Sequence, residues 1–262
     1  MLPIGDDNLG RVRTPIVNYA LILANIIAFV LWQRLGTDIP VTYGWSTVPA
    51  EILGGRDLIT ESRIIVDPVS GTRQLMPGLQ PSPYPIYVTL LSALFLHGGI
   101  AHIFGNMLYL AVFGDNLENV MGHLRYLVFY LLCGVLASLA HVAATAFFGQ
   151  NPMIPSLGAS GAISGVLGGY MLLFPTHRIR IWFILGFWPF PAWLCVGLWF
   201  LFQLLNGAGA LGSDAGSGVA YAAHIGGFVA GMLLVHLFVH HRELARYREA
   251  RSRGIRRRNG IV

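Results

Sequence analysis

The 262-residue chain has no lysine, only two cysteines, and few charges of either sign, with Asp, Glu and Arg together at 11%. Two cysteines, Cys133 and Cys195, cannot staple a disulfide scaffold; lying mid-span, they read as packing residues. A 55% apolar content excludes disorder and collagen-like repeats. Soluble domains carry roughly 25% charged residues, so most of this surface cannot face water. No HExxH motif occurs and no Cys/His spacing suits zinc, so neither metal nor cofactor is expected.

What remains is apolar sequence with sparse charge. Between Tyr84 and His241 the only charged residues are Asp115, Glu118, Arg125, Arg178, Arg180 and Asp214. Apolar runs of about 18 residues or more mark transmembrane helices, and the pattern predicts an all-α polytopic membrane protein, a bundle of six spans. They are Pro15–Trp32, Ile100–Val120, Leu124–Phe148, Ser160–Phe174, a stretch interrupted by Pro189 and Pro191 that ends near Leu205, and Val219–His240. The prolines divide the fifth stretch into an interfacial piece and the span itself. Residues 1–14 form the N-terminal segment, 15–240 the membrane domain, and 241–262 a basic tail. A long polar, proline-rich loop, 33–85, lies outside the hydrocarbon.

Arginine distribution sets the orientation. With the N-terminus inside, 13 of the 17 arginines fall on the inner side, eight of them between Arg242 and Arg258. Both termini are therefore expected to be cytoplasmic. The basic tail directly follows the last span, which reads as a positive-inside anchor and not as a nucleic-acid arm.

Polar residues inside a membrane are costly and default to function. Three clusters qualify: His97-Gly-Gly-Ile-Ala-His102-Ile-Phe-Gly-Asn106, Gly158-Ala-Ser160-Gly161, and Ala223-His224-Ile-Gly-Gly227. Spans two, four and six all start at the outer face, so the three clusters converge at similar depth. His102 and Asn106, four apart, share a helix face. Ser160 to Phe174 is 15 residues, about 22 Å of helix, short of a ~30 Å hydrocarbon core. The stretch Gln150–Ala159 should therefore dip inward and present Ser160 below the surface, lining a cavity. Gly161, Gly165 and Gly169, with Ala223, Gly227 and Gly231, form stripes that permit close helix approach. A serine hydroxyl and an imidazole could then meet, the minimal arrangement for activating a weak nucleophile.

These residues resemble the rhomboid family of intramembrane serine proteases. The likeness rests on His102-x-x-x-Asn106, on Gly158-Ala-Ser160-Gly161-Ala-Ile-Ser164-Gly165, and on Ala223-His224-Ile-Gly-Gly227. It is joined by Phe113-Gly-Asp-Asn-Leu-Glu118 with Gly122-His-Leu-Arg125. It covers roughly Tyr84 to Val239. The resemblance implies a six-helix core that hydrolyses peptide bonds in or beside the transmembrane segments of substrates within the lipid bilayer. It implies Ser160 as nucleophile, His224 as general base, and His102 and Asn106 with the Ser160 N–H as oxyanion donors. His97 matches a second family histidine and Glu118 a structural acid. One departure is Ser164, where many members carry an aromatic residue beneath the base.

The chemistry also follows from the residues. No carboxylate lies at the outer ends of spans two, four and six, leaving a Ser–His dyad. His224 takes the Ser160 proton and returns it to the leaving amine, while His102, Asn106 and free helix N–H groups stabilise the oxyanion. Two other readings belong to different classes: a non-catalytic binder of transmembrane clients, and a bis-histidine haem protein ligated by His141 and His224. With no targeting signal apparent, a bacterial cytoplasmic membrane is the expected location.

Overall fold

The computed structural model describes residues 2–66, 72–183, 186–210 and 221–258. Asp214, the expected start of the sixth span at Val219, and the tail residues 259–262 lie outside the described residues. The chain is mainly helical. In order, it forms β1 (Leu2–Gly5), α1 (Ile16–Ile27), α2 (Ile39–Gly44), α3 (Pro49–Gly54), β2 (Arg63–Val66), β3 (Arg73–Met76) and α4 (Thr89–Ser92). There follow α5 (Ile100–Met121), α6 (His123–Phe147), α7 (Ser160–Leu173), β4 (Arg178–Phe183), β5 (Gly186–Pro191), α8 (Ala192–Ala210), α9 (Tyr221–Phe238) and α10 (His241–Arg258).

Among the described residues, α6, α8 and α9 are long and apolar enough to cross a membrane. A fourth candidate is α5 taken with the short helical stretch Ile86–Phe95, from which it is bent by 80°. Two further apolar helices, Ile16–Trp32 and Ser160–Leu173, are shorter. The first is α1 prolonged by one wide turn, in which the Gln33 N–H bonds to the Ala28 carbonyl five residues back.

α7 is the central helix, packed against α5, α6, α8 and α9. Its interior run from Gly161 to Tyr170 is buried throughout, and the glycines explain how. A Cβ on Gly227 would lie 2.1 Å from the Gly161 oxygen, one on Gly231 1.9 Å from the Gly165 oxygen, and one on Gly168 2.2 Å from the Phe228 oxygen. Helices α7 and α9 therefore touch backbone to backbone, which only small residues permit. Below the glycines, Val166, Leu167 and Tyr170 pack with Phe113, Leu117, Phe129 and Phe228.

The expectation of an all-α chain is corrected by two small sheets. The piece before the fifth span is a hairpin: β4 pairs antiparallel with β5 from Arg178↔Pro191 to Phe183↔Gly186, and β1 adds to its other edge. The sequence Arg178-Ile-Arg180-Ile181 alternates with period two, so Ile179 and Ile181 are buried while Pro189 and Pro191 forbid a helix. In the long loop after α1, β2 and β3 pair from Arg63↔Met76 to Val66↔Arg73.

At the end of the bundle opposite that loop, polar residues of α5 organise both termini. Glu118 is fully buried, and its two carboxylate oxygens accept the Val17 and Asn18 N–H groups at 2.9 and 2.7 Å. An acid from α5 thus satisfies orphan donors at the start of α1, where the helix dipole favours negative charge. Asn119 Oδ1 accepts the Val12 and Arg13 N–H groups, and Arg11 pairs with Asp115 at 2.6 Å. The C-terminal helix docks on the same end: Tyr247 donates to Asn116 Oδ1 at 2.8 Å, and Arg251 pairs with Asp7 at 2.8 Å. The two termini meet there.

Candidate active site

Ser160 opens α7 because the segment before it cannot be helical. Gly158 adopts φ +125°, a region reserved for glycine, and its N–H bonds to the Ala93 carbonyl at 2.8 Å. The preceding segment is held against the long loop after α1 by the mutual Thr47–Ser156 backbone pair at 3.0 and 2.8 Å and by the Ala50 N–H on the Pro152 carbonyl. Ser160 consequently sits at a helix start whose first-turn N–H groups lack an internal acceptor.

The close α7–α9 contact brings His224 to it. Ser160 Oγ and His224 Nε2 are 2.8 Å apart. An acceptor at Nδ1 assigns the His224 proton to that nitrogen, which makes the serine hydroxyl the donor to Nε2. That acceptor is Gln203 Oε1 of α8, at 2.8 Å. Gln203 is 5% exposed. Trp199, one turn earlier on α8, sets its ring against the imidazole, with centroids 6.1 Å apart. Both nitrogens of His224 are therefore engaged, which speaks against its acting as a haem ligand.

Ser160 and His224 line a cavity of about 1330 Å³, together with His102, Asn106 and His141. That exceeds the ~300–1,000 Å³ of a usual small-molecule pocket. His102 Nδ1 accepts the Gly98 N–H at 3.2 Å, so the ring proton resides on Nε2, against Gly158. A Cβ on Gly158 would lie 2.9 Å from His102 Nε2. Asn106 is buried, and its Nδ2 has no hydrogen-bond partner among the described residues. His102, Asn106 and the N-terminus of α7 thus face the same cavity as the serine.

Of the residues singled out by sequence, Ser160, His224, His102 and Asn106 share this cavity, and His97 does not line it. His97 is fully buried behind His102, edge to face at 5.2 Å. Its backbone is bracketed by Gln33, whose Oε1 accepts the His97 N–H at 2.8 Å and whose Nε2 donates to the His97 carbonyl at 3.0 Å. Ser164 does not reach His224. Its hydroxyl donates back to the Ser160 carbonyl at 2.6 Å, and the residue is fully buried. Sequence reading passed over Gln203 and Trp199. The signal for Gln203 was present: an amide within an apolar span is as exceptional as an intramembrane histidine.

Comparison with known proteins adds an independent finding. The family model described as "Rhomboid domain" matches residues 86–241. Rhomboid protein 1, mitochondrial, of Saccharomyces cerevisiae is 28% identical over 216 residues, covering 82% of this chain and 51% of the yeast protein. RHOMBOID-like protein 6, mitochondrial, of Arabidopsis thaliana is 33% identical over 145 residues, 55% of this chain and 41% of the relative. Rhomboid protease GluP of Bacillus subtilis is 37% identical over 89 residues, 34% of this chain and 16% of GluP. The chain spans about half or less of the length of these relatives.

Proposed function

The chain belongs to the rhomboid family, and from that premise we propose that it is an intramembrane serine protease that hydrolyses peptide bonds in or near transmembrane segments of other proteins. The observation that carries this reading is the 2.8 Å Ser160 Oγ–His224 Nε2 pair at the wall of the cavity. His224 Nε2 takes the hydroxyl proton as Ser160 Oγ attacks the scissile carbonyl carbon, and the carbonyl oxygen becomes an oxyanion. His102 Nε2–H, Asn106 Nδ2 and the Ser160 N–H donate to it, each such donor being worth about 10²–10³ in rate. The imidazolium then protonates the leaving amine, and the acyl-enzyme is hydrolysed by water activated by the same histidine. His97 supports His102 from behind and takes no part in the chemistry.

The proposal includes six crossings, with the two shorter apolar helices spanning inside the bundle and the sheet β1–β4–β5 at the inner interface. The meeting of both termini at one end of the bundle supports an even number of crossings. The arginine distribution supports an inner position for that end. The protein is integral to a membrane. The expected bacterial cytoplasmic membrane loses ground, since relatives from yeast and Arabidopsis are named mitochondrial.

Labelling by a fluorophosphonate probe, together with cleavage of a transmembrane substrate in detergent, tests the reading. Ser160→Ala abolishes both, whereas Ser164→Ala retains labelling. Undiminished labelling of Ser160→Ala overturns it.

A further inference from the structure

Three sides of the His224 imidazole can be accounted for. Toward α7 it meets Ser160, and Ser164, one turn on, is turned away to the Ser160 carbonyl. Toward α5 and α6 the titratable groups facing it are His102 and His141, and no carboxylate faces it among the described residues. The remaining side is occupied by α8, which presents Trp199 to the ring and Gln203 Oε1 to Nδ1. These two residues are four apart and so share one helix face.

We propose that Gln203 is the positioning residue of the general base, resting on the reading of Ser160 and His224 as a catalytic dyad. A neutral imidazole exists as two tautomers, and only the Nδ1–H form leaves Nε2 free to accept the serine proton. The Gln203 carbonyl oxygen selects that tautomer and fixes the ring plane toward Ser160. When the Ser160 proton moves to Nε2, the proton on Nδ1 stays in place and its bond to Gln203 strengthens with the ring's new charge. A side-chain amide does here what a carboxylate does in a Ser–His–Asp triad, without the cost of burying an anion in the bilayer.

The position of α8 becomes a determinant of catalysis. The helix is anchored at its start by the Ala192 and Trp193 N–H groups on the His177 and Pro175 carbonyls. It is otherwise the least enclosed of the three long apolar helices, with 17% of its apolar window buried against 39% for α6 and 33% for α9. A displacement of α8 would withdraw the acceptor from Nδ1.

The test compares the full-length parent with Gln203→Met, which keeps length and apolar contact but removes the acceptor, and with Gln203→Glu, which keeps an acceptor oxygen. Cleavage of one transmembrane substrate is followed against pH, and the fluorophosphonate labelling rate is measured on the same preparations. Gln203→Met should lower kcat and the labelling rate by about 10–100-fold, with KM within about threefold of the parent. Gln203→Glu should recover to within about tenfold of the parent, with the acidic limb of the kcat profile moved to higher pH, since a neighbouring anion favours the imidazolium.

Parental kcat and labelling in Gln203→Met overturn the proposal, as does a rise in KM with kcat unchanged, which would make Gln203 a substrate contact. If Gln203→Met does not fold, the pH profile of Gln203→Glu decides: an unshifted acidic limb overturns. Failure of the underlying dyad is recognised separately, because Ser160→Ala would then still label.

Discussion

The contact between α7 and α9 permits a quantitative perturbation of the Ser160–His224 pair, on which the proposed chemistry rests, that touches neither side chain. A Cβ added at Gly227 would sit 2.1 Å from the Gly161 carbonyl oxygen, against a normal carbon–oxygen approach of about 3.3–3.6 Å. Gly161 follows Ser160 directly, and Gly227 is less than one turn from His224, so this contact spaces the two side chains. To admit the methyl group the helices must part locally by roughly 1.2–1.5 Å. The Ser160–His224 distance, 2.8 Å in the parent, would grow to about 4 Å, outside hydrogen-bond range.

Misplacement by about 1 Å costs on the order of 10²-fold in rate, and overpacking destabilises by about 1–3 kcal/mol. Gly227→Ala should therefore lower kcat on a transmembrane substrate by about 10²-fold and slow fluorophosphonate labelling in parallel, with a modest loss of thermal stability. Gly197→Ala, where an added Cβ meets nothing within 4 Å, serves as the control and should match the parent. Parental turnover and labelling in Gly227→Ala would refute the claim that backbone contact sets the dyad distance.

Other outcomes follow from the same geometry. Asn106→Ala should lower kcat by about 10–10³-fold without moving the pH at which activity rises, because an amide only donates; a shifted pH limb would assign it to proton transfer. Glu118→Ala leaves the Val17 and Asn18 N–H groups uncapped and should cost about 2–4 kcal/mol in thermal or denaturant unfolding, with Glu118→Gln milder; equal stability of all three proteins would refute the capping role.

A final outcome concerns Asp6, whose carboxyl is held well above the usual carboxylate range by burial and by repulsion from Asp115. Being protonated in the folded protein where the unfolded chain is ionised, it contributes stability that is lost as pH rises through its raised value. The melting temperature of the parent should then fall between about pH 4 and 7 more steeply than that of Asp6→Asn; parallel curves would contradict this.

Local patterns were sufficient to mark the long apolar helices and the four polar residues that share the cavity. A transmembrane helix is specified by its own apolar run, and His102 and Asn106 are placed on one face by helical repeat alone. The glycines at Gly161, Gly165, Gly227 and Gly231 announced a close contact before any coordinates did. The β-hairpin was legible only in retrospect, because four alternating residues beside two prolines are too short a signal against so apolar a background.

Other features depended on how separate helices are rotated and set in register against one another, which no periodicity encodes. Gln203 reaches His224 across 21 positions of sequence, and Glu118 reaches Asn18 across 100. Each lies within a span or at its end with nothing nearby in the chain to name its partner. Ser164 shows the converse: it stands where the family likeness puts an aromatic residue beneath the base, and the helix's own carbonyl claimed its hydroxyl. A side-chain hydrogen bond is made or lost over less than 1 Å, and only the packing of α7, α8 and α9 determines distances on that scale.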